Sequence, residues 1–179
     1  WQQRHLLGIA ARDVLGHASI EVVGADLTAL ADASIEGALT ALEPAVPFAV
    51  VAFGRLGGAE LGYASDLDVA FVHEGGARAD ADEAERVAAG LLRFLGGGPP
   101  AERIWVVDAS LRPEGRNGPL ARSLSGWDAY LGRWASTWER QAYLRTRVVA
   151  GDRALGERLL TQVSEAIWAQ PFTEDDARE

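Results

Sequence analysis

The chain has 179 residues, 48% of them hydrophobic, and a formal net charge of −9, with 17 arginines, no lysine and no cysteine. That length suits one core with flanking structure rather than two domains, and no apolar run approaches a membrane span. The composition excludes disulfides, thiolate metal sites, cysteine nucleophiles, a Walker-type phosphate loop and Schiff-base chemistry, and its acidity argues against binding nucleic acid through a basic face.

No targeting pattern opens the chain and no Met precedes Trp1. The expectation is a cytoplasmic protein, a fragment of something longer, with neither membrane nor nucleic acid as partner. His5, His17 and His73 show no metal-ligand spacing and read as surface or capping residues.

Taken in order, "QQRHLLGIAARDVL" and "ADLTALADASIEGALTAL" carry apolar residues at helical spacing, which predicts two leading helices over a lead-in of residues 1–43. Pro44 and Pro47 break the pattern, and "FAVVAF" is a short apolar run suited to a strand buried on both faces. A glycine turn, "GRLGG", leads to a second strand, "DLDVAFV". An acidic loop follows, then a helix around "EAERVAAGLLRFL" that stops at Gly96, Gly97 and Gly98. "RIWVVDASL" is a third β-rich run, closing a core of residues 44–123. Ser125 is expected to cap a long helix through "WDAYLGRWASTWERQAYLRTRVV", and a last helix runs from about Arg153 to Trp168. Residues 124–179 thus read as a helical extension packed on the core, ending in an acidic tail that reads as a frayed end.

Asp66 and Asp68 stand inside the apolar second strand and share one of its faces with Ala70, while Leu67, Val69 and Phe71 point the other way, toward the core. Buried carboxylates need a balancing charge, and oxygen-only ligation by a few carboxylates fits magnesium in phosphoryl or nucleotidyl transfer. An isolated Asp-x-Asp is more often solvated at a strand edge. The glycine turn shifts that balance, because Gly57 and Gly58 allow backbone N–H groups to approach a phosphate beside the aspartates. With Ser65-Asp66-Leu67-Asp68 after it, the turn resembles the signature of polymerase-β-type nucleotidyltransferases, which expects a third acid on a later strand. Asp108, at the end of "IWVVD", occupies such a position.

Together, "GRLGGAELGYASDLDVAFVH", "VDASLRPEGRNGPL" and "WASTWERQAYLRTRVVAGD" resemble the nucleotidyltransferase domain of the glutamine synthetase adenylyltransferase family over about residues 44 to 153. Members of that family carry two such domains in one bifunctional polypeptide, one adding AMP to a glutamine synthetase tyrosine and the other removing it by phosphorolysis. The fold implied is α/β (α+β), with a small mixed sheet, flanking helices and a helical C-terminal extension. The resemblance implies that Asp66, Asp68 and Asp108 are catalytic and hold magnesium, or manganese. It also implies that Gly57, Gly58, Ser65, Arg112, Arg116, Arg145 and Arg147 bind nucleotide or phosphate. Glu139 is drawn in without a role, and Ser110 stands where many family members have arginine. Trp127, Tyr130, Trp134 and Trp138 recur at helical spacing and read as a hydrophobic seam.

"IWVVDASLRPEGRNGPL" and "RWASTWERQAYLRTRVVAGD" most resemble the N-terminal, AMP-removing half of the family as it occurs in actinobacterial members, with Glu114 after "LRP" as the marker, and that resemblance implies a reaction that takes adenylylated glutamine synthetase and phosphate to ADP and free tyrosine. The adenylylating half, which uses ATP, is the alternative. A non-catalytic docking module for glutamine synthetase or a PII-type signal protein is a reading of another class. The remaining expected partner is the rest of the bifunctional polypeptide.

Overall fold

The computed structural model describes residues 1–99, 103–133 and 137–169. Two helices, α1 (Gln2–Val14) and α2 (Ile20–Leu42), open the chain. The second starts earlier than the apolar pattern indicates, because Ser19 Oγ accepts a hydrogen bond from the Val22 N–H and caps it. It ends at Glu43, whose left-handed φ of 46° turns the chain into Pro44. Strand β1 (Phe48–Ala52), a single helical turn α3 (Gly54–Gly57) and strand β2 (Leu67–His73) follow. Helix α4 (Arg78–Gly96) begins where Asp80 Oδ2 accepts from the Ala77 N–H. Then come β3 (Val107–Asp108), β4 (Ala121–Ser123), α5 (Leu124–Leu131), α6 (Thr137–Ala142), β5 (Arg147–Gly151) and α7 (Arg153–Trp168).

The strands form a small mixed sheet in the order β3-β2-β1-β5, with β4 also paired to β2. Strand β1 lies antiparallel to both β2 and β5, whereas β3 and β4 run parallel to β2. Pairing of β3 with Leu67 and Asp68, and of β4 with Phe71, Val72 and His73, divides one edge of β2 between them. Alternation then builds two cores. Phe48, Val50, Leu67, Val69 and Phe71 pack beneath α2 and α4. On the opposite face Ala49, Val51, Phe53, Ala70 and Val72 meet Trp127 and Leu131 of α5, Tyr143, and Leu155, Leu159 and Val163 of α7.

Several expectations are corrected. The segment expected as one long helix breaks up: Gly132 caps the end of α5, and Arg147–Gly151 is a strand. Adjacent valines at 148 and 149 favour extended backbone, and the free edge of β1 supplies the hydrogen-bond partners that a helix would have replaced. The stretch after residue 123 therefore contributes a strand to the core sheet as well as helices. Ser123, not Ser125, caps α5, accepting from the Gly126 N–H at 3.1 Å. The third β-rich run is a ladder of only two residues, because the Ile104 and Trp105 N–H groups donate instead to the Leu95 carbonyl at the end of α4. His73 is not at the surface: it is buried at the end of β2, and burial holds its imidazole below the ordinary histidine range. Trp127 and Tyr130 are buried, while Trp138 is 55% exposed and takes no part in a seam. Trp134 and the acidic tail lie outside the described residues.

Candidate active site

Strand β2 emerges from its cover as it runs back toward its first residues. Ala70 is buried against the α7 side, Asp68 on the same face is half-buried, and Asp66, just before the strand, is exposed. Asp68 faces Asp108 directly, as its Cα partner in the β2–β3 pairing. Facing residues in a parallel ladder present their side chains to the same side, with strands about 4.8 Å apart, so the two carboxylates are neighbours. Asp108 is oriented by the Ser110 N–H, which donates to its Oδ1 at 2.7 Å. Burial first, then the charges of Asp108 and Asp66, push the Asp68 carboxyl above the usual carboxylate range. Asp66 and Asp108 thus both act electrostatically on Asp68.

Beside them lies Gly54, a residue the sequence reading passed over. Its φ is +54°, and a Cβ built there would stand 2.5 Å from Asp68 Oδ2. The Phe53 N–H also donates to the Asp68 carbonyl at 2.9 Å. The end of β1 is therefore fitted to the backbone and the carboxylate of Asp68 together. The signal available was a glycine closing an apolar strand run, where a side chain would obstruct whatever the next strand presents.

The glycines at 57 and 58 have different surroundings. Both N–H groups are spent inside the α3 turn, Gly57 donating to the Phe53 carbonyl and Gly58 to the Gly54 carbonyl. Gly57 lies hard against the backbone of residue 145, since a Cβ there would fall 1.8 Å from the Arg145 carbonyl oxygen. Close packing gives that position its own need for glycine. Ser65 Oγ accepts from the Gly62 N–H at 3.0 Å and closes the turn that delivers Asp66.

Three of the four arginines named with the site are engaged elsewhere. Arg112 is 9% exposed, and its guanidinium donates to the carbonyls of Ala109, Gly118 and Pro119, tying the loop after β3 into a closed unit. Burial lowers its pKa from the ordinary arginine value. Arg145 is ion-paired with Glu60. Arg147 makes a two-pronged pair with Asp32 of α2, at 2.9 and 2.8 Å, and donates from Nε to the Leu56 carbonyl of α3. Arg116 is exposed. Glu139 is buried and accepts from the Tyr130 hydroxyl at 2.6 Å; burial and that bond push the phenol up to about 12. Glu114 has a left-handed φ of 63° and pairs with Arg122 at 2.8 Å.

Among the described residues, no group of three His, Cys, Asp or Glu side chains forms a ready-made metal cage. Magnesium does not require one, because it is commonly held by one or two carboxylates together with substrate phosphates and water. The oxygen donors of Asp68 and Asp108, set side by side by the strand register, fit such an ion. Two clefts, of about 410 and 580 Å³, flank Trp1 at the leading helices, and neither is lined by Asp66, Asp68 or Asp108. Charge and strand register, rather than concavity, mark the acidic site. Among the described residues, no helix is long and apolar enough to cross a membrane.

Comparison with known proteins places this geometry in context. Residues 1–162 match the family model for glutamate-ammonia ligase adenylyltransferase. The chain is 45% identical over 177 residues to a Streptomyces avermitilis protein named bifunctional glutamine synthetase adenylyltransferase/adenylyl-removing enzyme, an alignment covering 93% of this chain and 18% of that protein. A Nocardia farcinica protein of the same name is 43% identical over 195 residues, covering 99% of this chain and 19% of its own length. One from Mycolicibacterium smegmatis is 45% identical over 170 residues, covering 89% and 17%. The chain thus spans under a fifth of the length of these relatives. With most of its residues inside the family model, and a mixed sheet that sets two aspartates abreast, the chain belongs to the glutamate-ammonia ligase adenylyltransferase family.

Proposed function

We propose that the chain carries out metal-dependent nucleotidyl transfer on glutamine synthetase, and that its reaction is phosphorolytic removal of AMP from an adenylylated tyrosine. The observation that carries the reading is the facing pair Asp68 and Asp108 with Asp66 two residues before Asp68, a cluster of oxygen donors suited to a divalent cation. The relatives' name covers both addition and removal of AMP. Removal is favoured by the likeness of the "LRPEG" stretch, with Glu114, to the AMP-removing half of the family.

In this reaction an oxygen of inorganic phosphate attacks the phosphorus of the AMP–tyrosine linkage, forming ADP. The bond from phosphorus to the tyrosine oxygen breaks, its electron pair leaves on the phenolate, and the phenolate takes up a proton. A phenol with a pKa of about 10 is a tolerable leaving group. Asp68 and Asp108 would hold magnesium or manganese, with Asp66 adding a ligand from the exposed side. When bound, the ion would offset charge developing on the phosphoryl oxygens and the leaving group. Ser110 keeps Asp108 oriented, and Gly54 leaves the Asp68 carboxylate its space. A PII-type protein as regulator and a cytoplasmic location belong to the same proposal.

The test is to incubate the chain and magnesium with adenylylated glutamine synthetase plus phosphate, and separately with unmodified glutamine synthetase plus ATP, following the mass of the substrate. Phosphate-dependent loss of AMP supports removal. Gain of AMP with release of pyrophosphate assigns the opposite direction to the same acids, and no change in either mixture supports the docking reading.

A further inference from the structure

We propose that Arg55 binds the terminal phosphate group of the substrate, whether inorganic phosphate or the outer phosphates of a nucleotide, beside Asp66 and Asp68; this rests on the phosphoryl-transfer reading above. A site built from three carboxylates repels an incoming phosphate, so besides a metal it needs a fixed cation to hold the part of the anion that the metal does not reach. Arg112, Arg145 and Arg147 are committed to carbonyls and carboxylates of the fold. Arg55 is not. Its side chain is exposed and, among the described residues, takes part in no hydrogen bond or ion pair.

Its position in the chain and in space is specific. Arg55 follows Gly54, the residue pressed against the Asp68 carboxylate, and Phe53 before that is bonded to the Asp68 carbonyl. The start of the α3 turn is therefore held in place against the acid. The Arg55 guanidinium reaches over the turn that feeds Asp66: Arg55 Nη1 and Ser65 Oγ each lie 3.5 Å from the point where a Cβ on Gly62 would sit. A planar guanidinium at that place can grip two phosphate oxygens at once. Arg116, also exposed, is the competing candidate, but it stands eight residues past Asp108 on a separate turn, beside the like charge of Arg112.

The experiment is calorimetric titration of the 179-residue chain, in magnesium, with inorganic phosphate, pyrophosphate and AMP. The wild type is expected to bind phosphate or pyrophosphate, and which of them binds identifies the source of the phosphate group. Arg55→Gln should weaken that binding about tenfold, a loss of about 1.4 kcal/mol. AMP affinity and the melting midpoint should stay unchanged, and Arg55→Lys should recover part of the loss because it restores the charge without the fork. Equal binding by wild type and Arg55→Gln overturns the role of Arg55 and leaves the site reading standing, as does a loss seen only in Arg116→Gln. A wild type that binds none of the three ligands overturns the site reading itself, and the role of Arg55 with it.

Discussion

Asp68 and Asp108 stand abreast as Cα partners in a parallel pairing two residues long, so the second strand carries a carboxylate that the third strand answers with another. Burial, and then the charges of Asp108 and Asp66, disfavour the ionised form of Asp68. Asp68→Asn is expected to raise the melting temperature of the metal-free protein at neutral pH, by a few degrees if about 1 kcal/mol of repulsion and desolvation is relieved. The sign follows from linkage. The folded-state pKa of Asp68 lies above its ordinary 3.8, so the native state takes up the proton more readily than the unfolded chain. That contribution is fully present below 3.8 and is lost as pH rises through the folded-state value. The advantage of Asn should accordingly grow from acid toward neutral pH in melts run with a chelator. On the proposed metal-dependent reaction, the same substitution should lower turnover at least ~10²-fold and remove any melting shift that added magnesium produces in the wild type.

Gly54→Ala places a methyl group 2.5 Å from Asp68 Oδ2 at a φ of +54°, which costs about 1–3 kcal/mol. Urea denaturation measures it. Because part of the cost is the contact with Asp68, the penalty should shrink when Asp68 is also alanine; an equal penalty in both backgrounds would assign it to backbone conformation alone.

Gly57→Ala and Gly58→Ala should differ sharply. The first drives a Cβ to 1.8 Å from the Arg145 carbonyl, while the second meets nothing nearer than 3.4 Å. We expect a loss of about 3 kcal/mol or more at position 57 and under about 1 kcal/mol at 58, read from chemical denaturation. Comparable losses at both positions would contradict the packing account.

The pair Arg147 and Asp32 links β5 to α2, and Arg147 reaches on to the Leu56 carbonyl of α3. A double-mutant cycle with Arg147→Met and Asp32→Asn is expected to show a coupling of about 1 kcal/mol, the upper end for partly exposed pairs because both prongs are made. Arg147→Met should also lower affinity for magnesium, since the turn it holds is the one fitted to Asp68. Unchanged metal affinity in a destabilised variant would limit Arg147 to a stabilising role.

Much of the fold was legible in the sequence where a single physical signal governs. The unbroken apolar run in "FAVVAF" gave a strand buried on both faces, and alternation in "DLDVAFV" sorted Asp68 from its neighbours. The last helix runs from Arg153 to Trp168 because Asp152 caps it, its carboxylate accepting from the Leu155 N–H. What escaped depends on distant partners. Val148 and Val149 sit in a stretch rich in helix formers, and become a strand because β1 offers an edge. The arginines at 112, 145 and 147 looked alike as free cations, and their partners Ala109, Glu60 and Asp32 include two that lie far away in the chain. Gly54 is inconspicuous in the sequence beside the Gly57-Gly58 pair, because its significance lies in what touches it in the fold.

The placement of β5 beside β1 has a consequence for how the chain is made. Val50 and its neighbours acquire their second hydrogen-bonded partner only when the strand ending at Gly151 arrives, long after β2 has paired on the other side. During vectorial synthesis the growing polypeptide must therefore carry a bare, wholly apolar strand edge until Arg147–Gly151 leaves the ribosome, the kind of edge that recruits strands from other molecules. Any translational pause or cut that stops short of Arg147 leaves a species inclined to aggregate, however intact its three aspartates.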